Sequence, residues 1–77
     1  MNEERRKRLE IILNRLEDIQ SDVNEILNDE EHYRDNIPEN LQESEQYEQA
    51  DAVCDDLSDA VDGLADAVSS IVSALAE

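Results

Sequence analysis

Along the first third of the chain, apolar residues recur at Leu9, Ile12, Leu16, Ile19, Val23 and Ile26, separated alternately by three and four positions. That spacing keeps one stripe of a helix turned toward a partner helix. Glu30 and Tyr33 continue the beat. A second series, Tyr47, Ala50, Cys54, Leu57, Val61, Leu64, Val68, Ile71 and Leu75, holds the same alternation almost to the last residue. The pattern predicts two long helices, over about residues 3–33 and 44–76, joined by a turn over about 34–43.

The segment between them supplies the reason to turn. Pro38 disfavours helical backbone at Ile37, and Asn36 with Glu39, or Asn40 with Glu43, has the form of a capping box with Asn as the cap, followed by Ser44 as a further cap. If the chain doubles back, Tyr33 meets Tyr47, Ile26 meets Cys54, Val23 meets Leu57, Ile19 meets Val61, Leu16 meets Leu64, Ile12 meets Val68 and Leu9 meets Ile71. A register shifted by one heptad satisfies the same spacing, but loop length and matched helix lengths favour this one. The predicted fold is all-α, an antiparallel two-helix hairpin of coiled-coil type. Arg5 and Arg8 would then lie beside the carbonyl-rich end of the second helix, where positive charge is favoured.

Apolar residues are left over once this seam is filled. Leu13 and Leu27 flank it on the first helix, with Ala65 and Val72 on the matching flank of the second; Val53, Ala60, Ala67 and Ala74 form a row on the other flank. A fully buried Leu, Ile or Val is worth roughly 1.5 to 3 kcal/mol, so wet flanks favour association. The expected outcome is a homo-oligomer, a dimer forming a four-helix bundle. A monomer with apolar flanks is the alternative, because scattered surface apolar residues are ordinary. Residues 67 to 76 carry no charge and make this end a candidate contact surface.

Composition narrows the class. A chain of 77 residues forms one domain and has little room for a core. Cys54 is the sole cysteine, which excludes an internal disulfide and suits a reducing compartment. The amino terminus lacks the uninterrupted apolar stretch of a signal peptide, and no apolar run is long enough to span a bilayer. These features lead to the expectation of a soluble, intracellular protein. The formal net charge is -16, and five of the six basic residues, Arg5, Arg6, Lys7, Arg8 and Arg15, lie in the first fifteen positions. Such a body repels membrane and nucleic acid and is drawn toward basic protein surfaces.

Catalysis needs a nucleophile with a base, a metal cluster or carboxylates in a pocket, and the sequence offers one His and one Cys, His32 and Cys54, far apart in the hairpin. No catalytic, metal or cofactor residue is predicted, and the protein is expected not to be an enzyme. Cys54 fits a small buried hydrophobe better than a reactive thiol, and His32 fits a solvated position. Glu48, Asp51, Asp55, Asp59, Asp62 and Asp66 repeat at helical spacing on the second helix. They can serve as a solvated face, as a docking surface that imitates phosphates, or as a divalent-cation site, although no calcium-binding loop with its glycine is present. The basic cluster at residues 5–8 has no interleaved aromatics to grip nucleic acid; pairing with acidic surface explains it more simply. A Tyr33–Tyr47 contact would close the seam at the turn.

The stretch Asn36-Ile-Pro-Glu-Asn-Leu-Gln-Glu-Ser-Glu-Gln-Tyr47, framed by two acidic heptad helices, resembles small acidic helical proteins of phages and mobile elements of Firmicutes. Its specific part is Ile37-Pro38-Glu39-Asn40-Leu41-Gln42 with Ser44 and Tyr47. No activity carries over from that group. The resemblance implies a mobile-element origin, where small acidic proteins serve as inhibitors of host defence or as assembly adaptors. Two expectations follow: an acidic inhibitor that covers a basic, nucleic-acid-binding surface of a host protein, and a structural or adaptor coiled coil whose charge only confers solubility.

Overall fold

A computed structural model describes residues 1–41 and 44–77. Helix α1 spans Glu3–Asp35 and helix α2 spans Glu45–Leu75, with a short 3-10 turn at Glu39–Leu41 between them. The helices pack antiparallel along most of their length, giving an all-α hairpin. Its extents are 59 × 15 × 14 Å, and its radius of gyration of 17.4 Å far exceeds the roughly 11 to 12 Å of a globular chain this long. The molecule is a rod one helix thick, so every residue lies close to water.

Each helix starts where a side chain can satisfy its free amides. The Asn2 Oδ1 accepts from the Arg5 amide at 2.9 Å, and Ser44 Oγ accepts from the Tyr47 amide at 3.3 Å. Ser44 also donates to the Leu41 carbonyl, tying the cap to the 3-10 turn. Asn36 has a different role from the expected one. It closes α1 rather than opening α2, with its Nδ2 donating to the His32 carbonyl at 2.8 Å. Gln42 and Glu43, which belong to the linker motif and to the second expected capping box, lie outside the described residues. Ile37 is buried beneath the turn; Pro38 removes it from the helix, and the fold uses it as a plug.

Among the described residues the buried ones are Leu27, Ile37, Ala50 and Cys54, all toward the turn end. Toward the open end the seam is only half-buried, through Leu9, Leu13 and Leu16 on α1 and Val61, Leu64, Val68, Ile71 and Leu75 on α2. Three hydrogen bonds between the helices fix the alignment: Arg6 donates to the Leu75 carbonyl, Gln46 to the Tyr33 hydroxyl at 2.6 Å, and Arg34 to Asp51 at 3.0 Å. The first two lie next to the pairing that the two heptad series predict, and Arg34 reaches further along α2. Arg6, rather than Arg5 or Arg8, serves the carboxyl end of α2.

On α1 the seam differs from the expected one by a rotation. Ile12, Ile19 and Ile26 are exposed, at 42%, 47% and 54%. Their places facing α2 are taken by Leu13, Gln20, Leu27 and Arg34, which share that face with Leu9, Leu16, Val23 and Glu30. Leu13 and Leu27 are therefore hairpin residues, not an outer flank. The cause is visible in the polar ends of the row. This phase aims Arg6 and Arg34 at α2, where each finds an acceptor, and an Arg that is half-buried needs one. In exchange, Gln20 enters the seam and three isoleucines leave it.

Gly63 lies in the exposed middle of α2, where an added Cβ would meet nothing within 4 Å. Glycine costs a helix interior roughly 0.8 to 1 kcal/mol relative to alanine. Gly63→Ala is thus expected to stabilise the hairpin by about that amount, read as a higher urea midpoint with unchanged slope.

Candidate interaction faces

An antiparallel pair has two broad sides, and rows displaced in the same sense about both helix axes share a side. Ile12, Ile19 and Ile26 each precede a seam residue of α1 by one position, and Val53, Ala60, Ala67 and Ala74 stand in the same relation to Cys54, Val61, Val68 and Leu75. Both rows consequently lie on one side. With Tyr33, which is 49% exposed, they make an apolar face running the length of the rod. Ala67 is half-buried, while Val53, Ala60 and Ala74 are exposed. At its amino-terminal end Met1, Arg5, Arg8, Leu9 and Ile12 outline an open depression of about 300 Å³.

The opposite side carries the residues one position past the seam: Glu48, Asp55 and Asp62 on α2 and Glu10 and Glu17 on α1. Asp59 and Asp66 sit on the back of α2, next to this side. Helix α2 holds eight acidic residues and no basic one. Among the described residues the ion pairs are Arg34 with Asp35 and Arg34 with Asp51, at 3.1 and 3.0 Å. Asp51 is thus engaged within the hairpin and is not a free member of the acidic row, whereas Asp55, Asp59, Asp62 and Asp66 are exposed and make no ion pair. Ala65 is half-buried and Val72 exposed, at the edge between α1 and α2 on the acidic side.

At the turn end, Arg34 serves both neighbouring carboxylates, and its guanidinium is held charged well above the usual range by Asp35 and then Asp51, against the opposing effect of desolvation. Cys54 is 3% exposed. Burial pushes its thiol above the ordinary 9.0; Arg34 pulls the other way, and Glu31, Glu30 and Asp51 add to the rise. A protonated, covered thiol is a packing group rather than a nucleophile. His32 is exposed beside Asn28, Glu31 and Asp35, whereas Cys54 is buried. The Tyr33 hydroxyl accepts from Gln46, and Tyr47 is half-buried on the seam of α2.

The apolar face was missed as a face because its isoleucines were assigned to the seam. What points to it in the sequence is the doubling of apolar residues at Ile12-Leu13 and Ile26-Leu27, since a two-helix seam can turn only one member of each pair inward. No helix among the described residues is long and apolar enough to cross a membrane. No protein-family model matches the chain, and neither the curated proteins nor the solved structures contain a match.

Proposed function

We propose that this hairpin is a non-catalytic, self-associating interaction protein of phage or mobile-element origin, acting in the bacterial cytoplasm. Its acidic side covers a basic, nucleic-acid-binding surface of a host protein. The observation that carries this reading is the exposed, unpaired row Asp55, Asp59, Asp62 and Asp66 on a helix with no basic residue. Those four carboxylates span about 16 Å of helix at 1.5 Å per residue, a linear charge density of the same order as one phosphate per 3.4 Å along a DNA strand. Held on a rigid rod, they lose little freedom on binding.

A second reading has its own support. The long apolar face suits an adaptor that works through helix packing while its charge maintains solubility. Changing Asp55, Asp59, Asp62 and Asp66 to Asn separates the two. In affinity capture from host lysate, the inhibitor reading predicts a basic protein that is released by salt, displaced by duplex DNA, and not retained by the four-Asn variant, whose helicity is unchanged. Retention of the same proteins by that variant would favour the adaptor.

A further inference from the structure

We infer that a second copy of this chain covers the apolar face, related by a two-fold axis that sets α1 antiparallel to the α1 of the second copy and α2 antiparallel to its counterpart. This deepens the self-association part of the proposed function and is independent of the acidic row, which lies on the opposite side and stays accessible.

Size is the first support. The broad side of a rod 59 Å long and 15 Å wide amounts to somewhat under about 900 Å², close to the roughly 800 Å² that each partner contributes to a stable interface. A hairpin whose buried residues, among those described, gather at one end gains along the rest of its length the second layer that its own seam lacks.

Charge order then selects the orientation. Beside the isoleucines on α1 runs the row Arg8, Arg15, Asp22 and Asp29. Laid antiparallel on itself with Ile19 on the axis, Ile12 meets Ile26 of the second copy, Arg8 meets Asp29, and Arg15 meets Asp22. Laid parallel, with α1 over α2 of the second copy, Arg8 and Arg15 fall beside the uncharged Ser70 and Gly63, and Asp22 approaches Asp56. Exposed pairs of this kind contribute little affinity, but like charges in apposition exclude the wrong alignment. The antiparallel form also carries each basic amino terminus over the acidic turn end of the other copy.

Shape gives an independent sign of the same orientation. In the antiparallel alignment the exposed Tyr33 falls opposite Arg5, at the depression bounded by Met1, Arg8, Leu9 and Ile12. An aromatic ring seated between an apolar floor and two guanidinium groups is a favourable anchor. On α2, Ala60 lies over its own equivalent and Val53 over Ala67, small enough for the two helices to approach closely.

Light scattering tests association, and cysteine pairing tests orientation. The expected solution mass is twice 8.8 kDa, falling to 8.8 kDa for Ile19→Lys, which places two ammonium groups together on the axis. Because Ile19 is exposed in the hairpin, that variant keeps its helicity. With Cys54→Val as background, Ile12→Cys and Ile26→Cys proteins each stay uncrosslinked alone under mild air oxidation and form a disulfide dimer when mixed. Arg15→Asp weakens the dimer, and adding Asp22→Arg restores it. A wild-type mass of 8.8 kDa, an Ile19→Lys variant still dimeric, or Ile12→Cys cross-linking to itself would overturn the inference; the four-Asn variant, by contrast, remains dimeric whether or not it binds a host protein.

Discussion

Replacing Leu27 with alanine is expected to cost the hairpin about 2 to 3 kcal/mol, while Ile26→Ala, one residue earlier, costs well under about 1 kcal/mol in dilute protein. The two positions differ in what surrounds them. Leu27 is the one residue of α1 that is buried, and it lies toward the turn end with the other buried positions; Ile26 is 54% exposed. Removing three carbons from Leu27 opens a gap at the end of the rod where the buried residues cluster. The relative size of the loss is large, since a domain of 77 residues at roughly 0.05 to 0.15 kcal/mol per residue has about 4 to 12 kcal/mol in all. Urea unfolding followed by far-ultraviolet circular dichroism, at a dilution where self-association is absent, measures both. Equal losses at the two positions would mean that α1 is not rotated as described.

Cys54→Asp is expected to be as damaging near neutral pH, at about 2 to 3 kcal/mol, and, unlike Leu27→Ala, to be rescued by acid. A carboxylate in this position loses water and faces Glu31, Glu30 and Asp51, with Arg34 as the only attraction, already shared between Asp35 and Asp51. The rod is only 15 × 14 Å in section, so water is never far, which keeps the cost at the lower end of the range for buried charge. Burial and acidic neighbours raise the folded-state pKa of the introduced carboxyl above its unfolded value of roughly 3.9. The penalty is therefore absent below that value and grows as pH rises through the folded pKa. Helicity followed from pH 7 to pH 3 beside the wild-type chain tests it: a deficit at pH 7 that closes on acidification is the expected result. Cys54→Val, which keeps the volume without the charge, is expected to cost less than about 1.5 kcal/mol. A full complement of helix for Cys54→Asp at pH 7 would show that position 54 does not face α1.

Helix α2 was legible from its pattern because its apolar residues leave one choice: every member of the series from Tyr47 to Leu75 is buried or half-buried. Helix α1 offered two choices. The rows Ile12-Ile19-Ile26 and Leu13-Gln20-Leu27 lie side by side, and counting apolar residues favours the first, because Gln20 interrupts the second. What accompanies the second is tertiary: in that phase Arg34 reaches Asp51 and Arg6 reaches the Leu75 carbonyl. No local periodicity encodes those two long-range acceptors. The exposure of Glu48, Asp55, Asp59, Asp62 and Asp66 was legible from their spacing off the seam, whereas the half-buried Asp51 pairs with Arg34. The apolar side was half legible. Val53, Ala60, Ala67 and Ala74 stood out as surplus, but the isoleucines beside them became visible only once the seam was assigned to other residues.

Methyl-labelled protein titrated with a soluble paramagnetic relaxation agent, over a series of dilutions, probes this division of the apolar residues directly. Leu27 methyl groups should stay shielded at every concentration, while those of Ile12, Ile19 and Ile26 should be strongly relaxed in dilute protein and lose that sensitivity as protein concentration rises. Isoleucine methyls shielded even at the lowest concentration, together with an accessible Leu27, would contradict the rotated seam and the apolar face that follows from it.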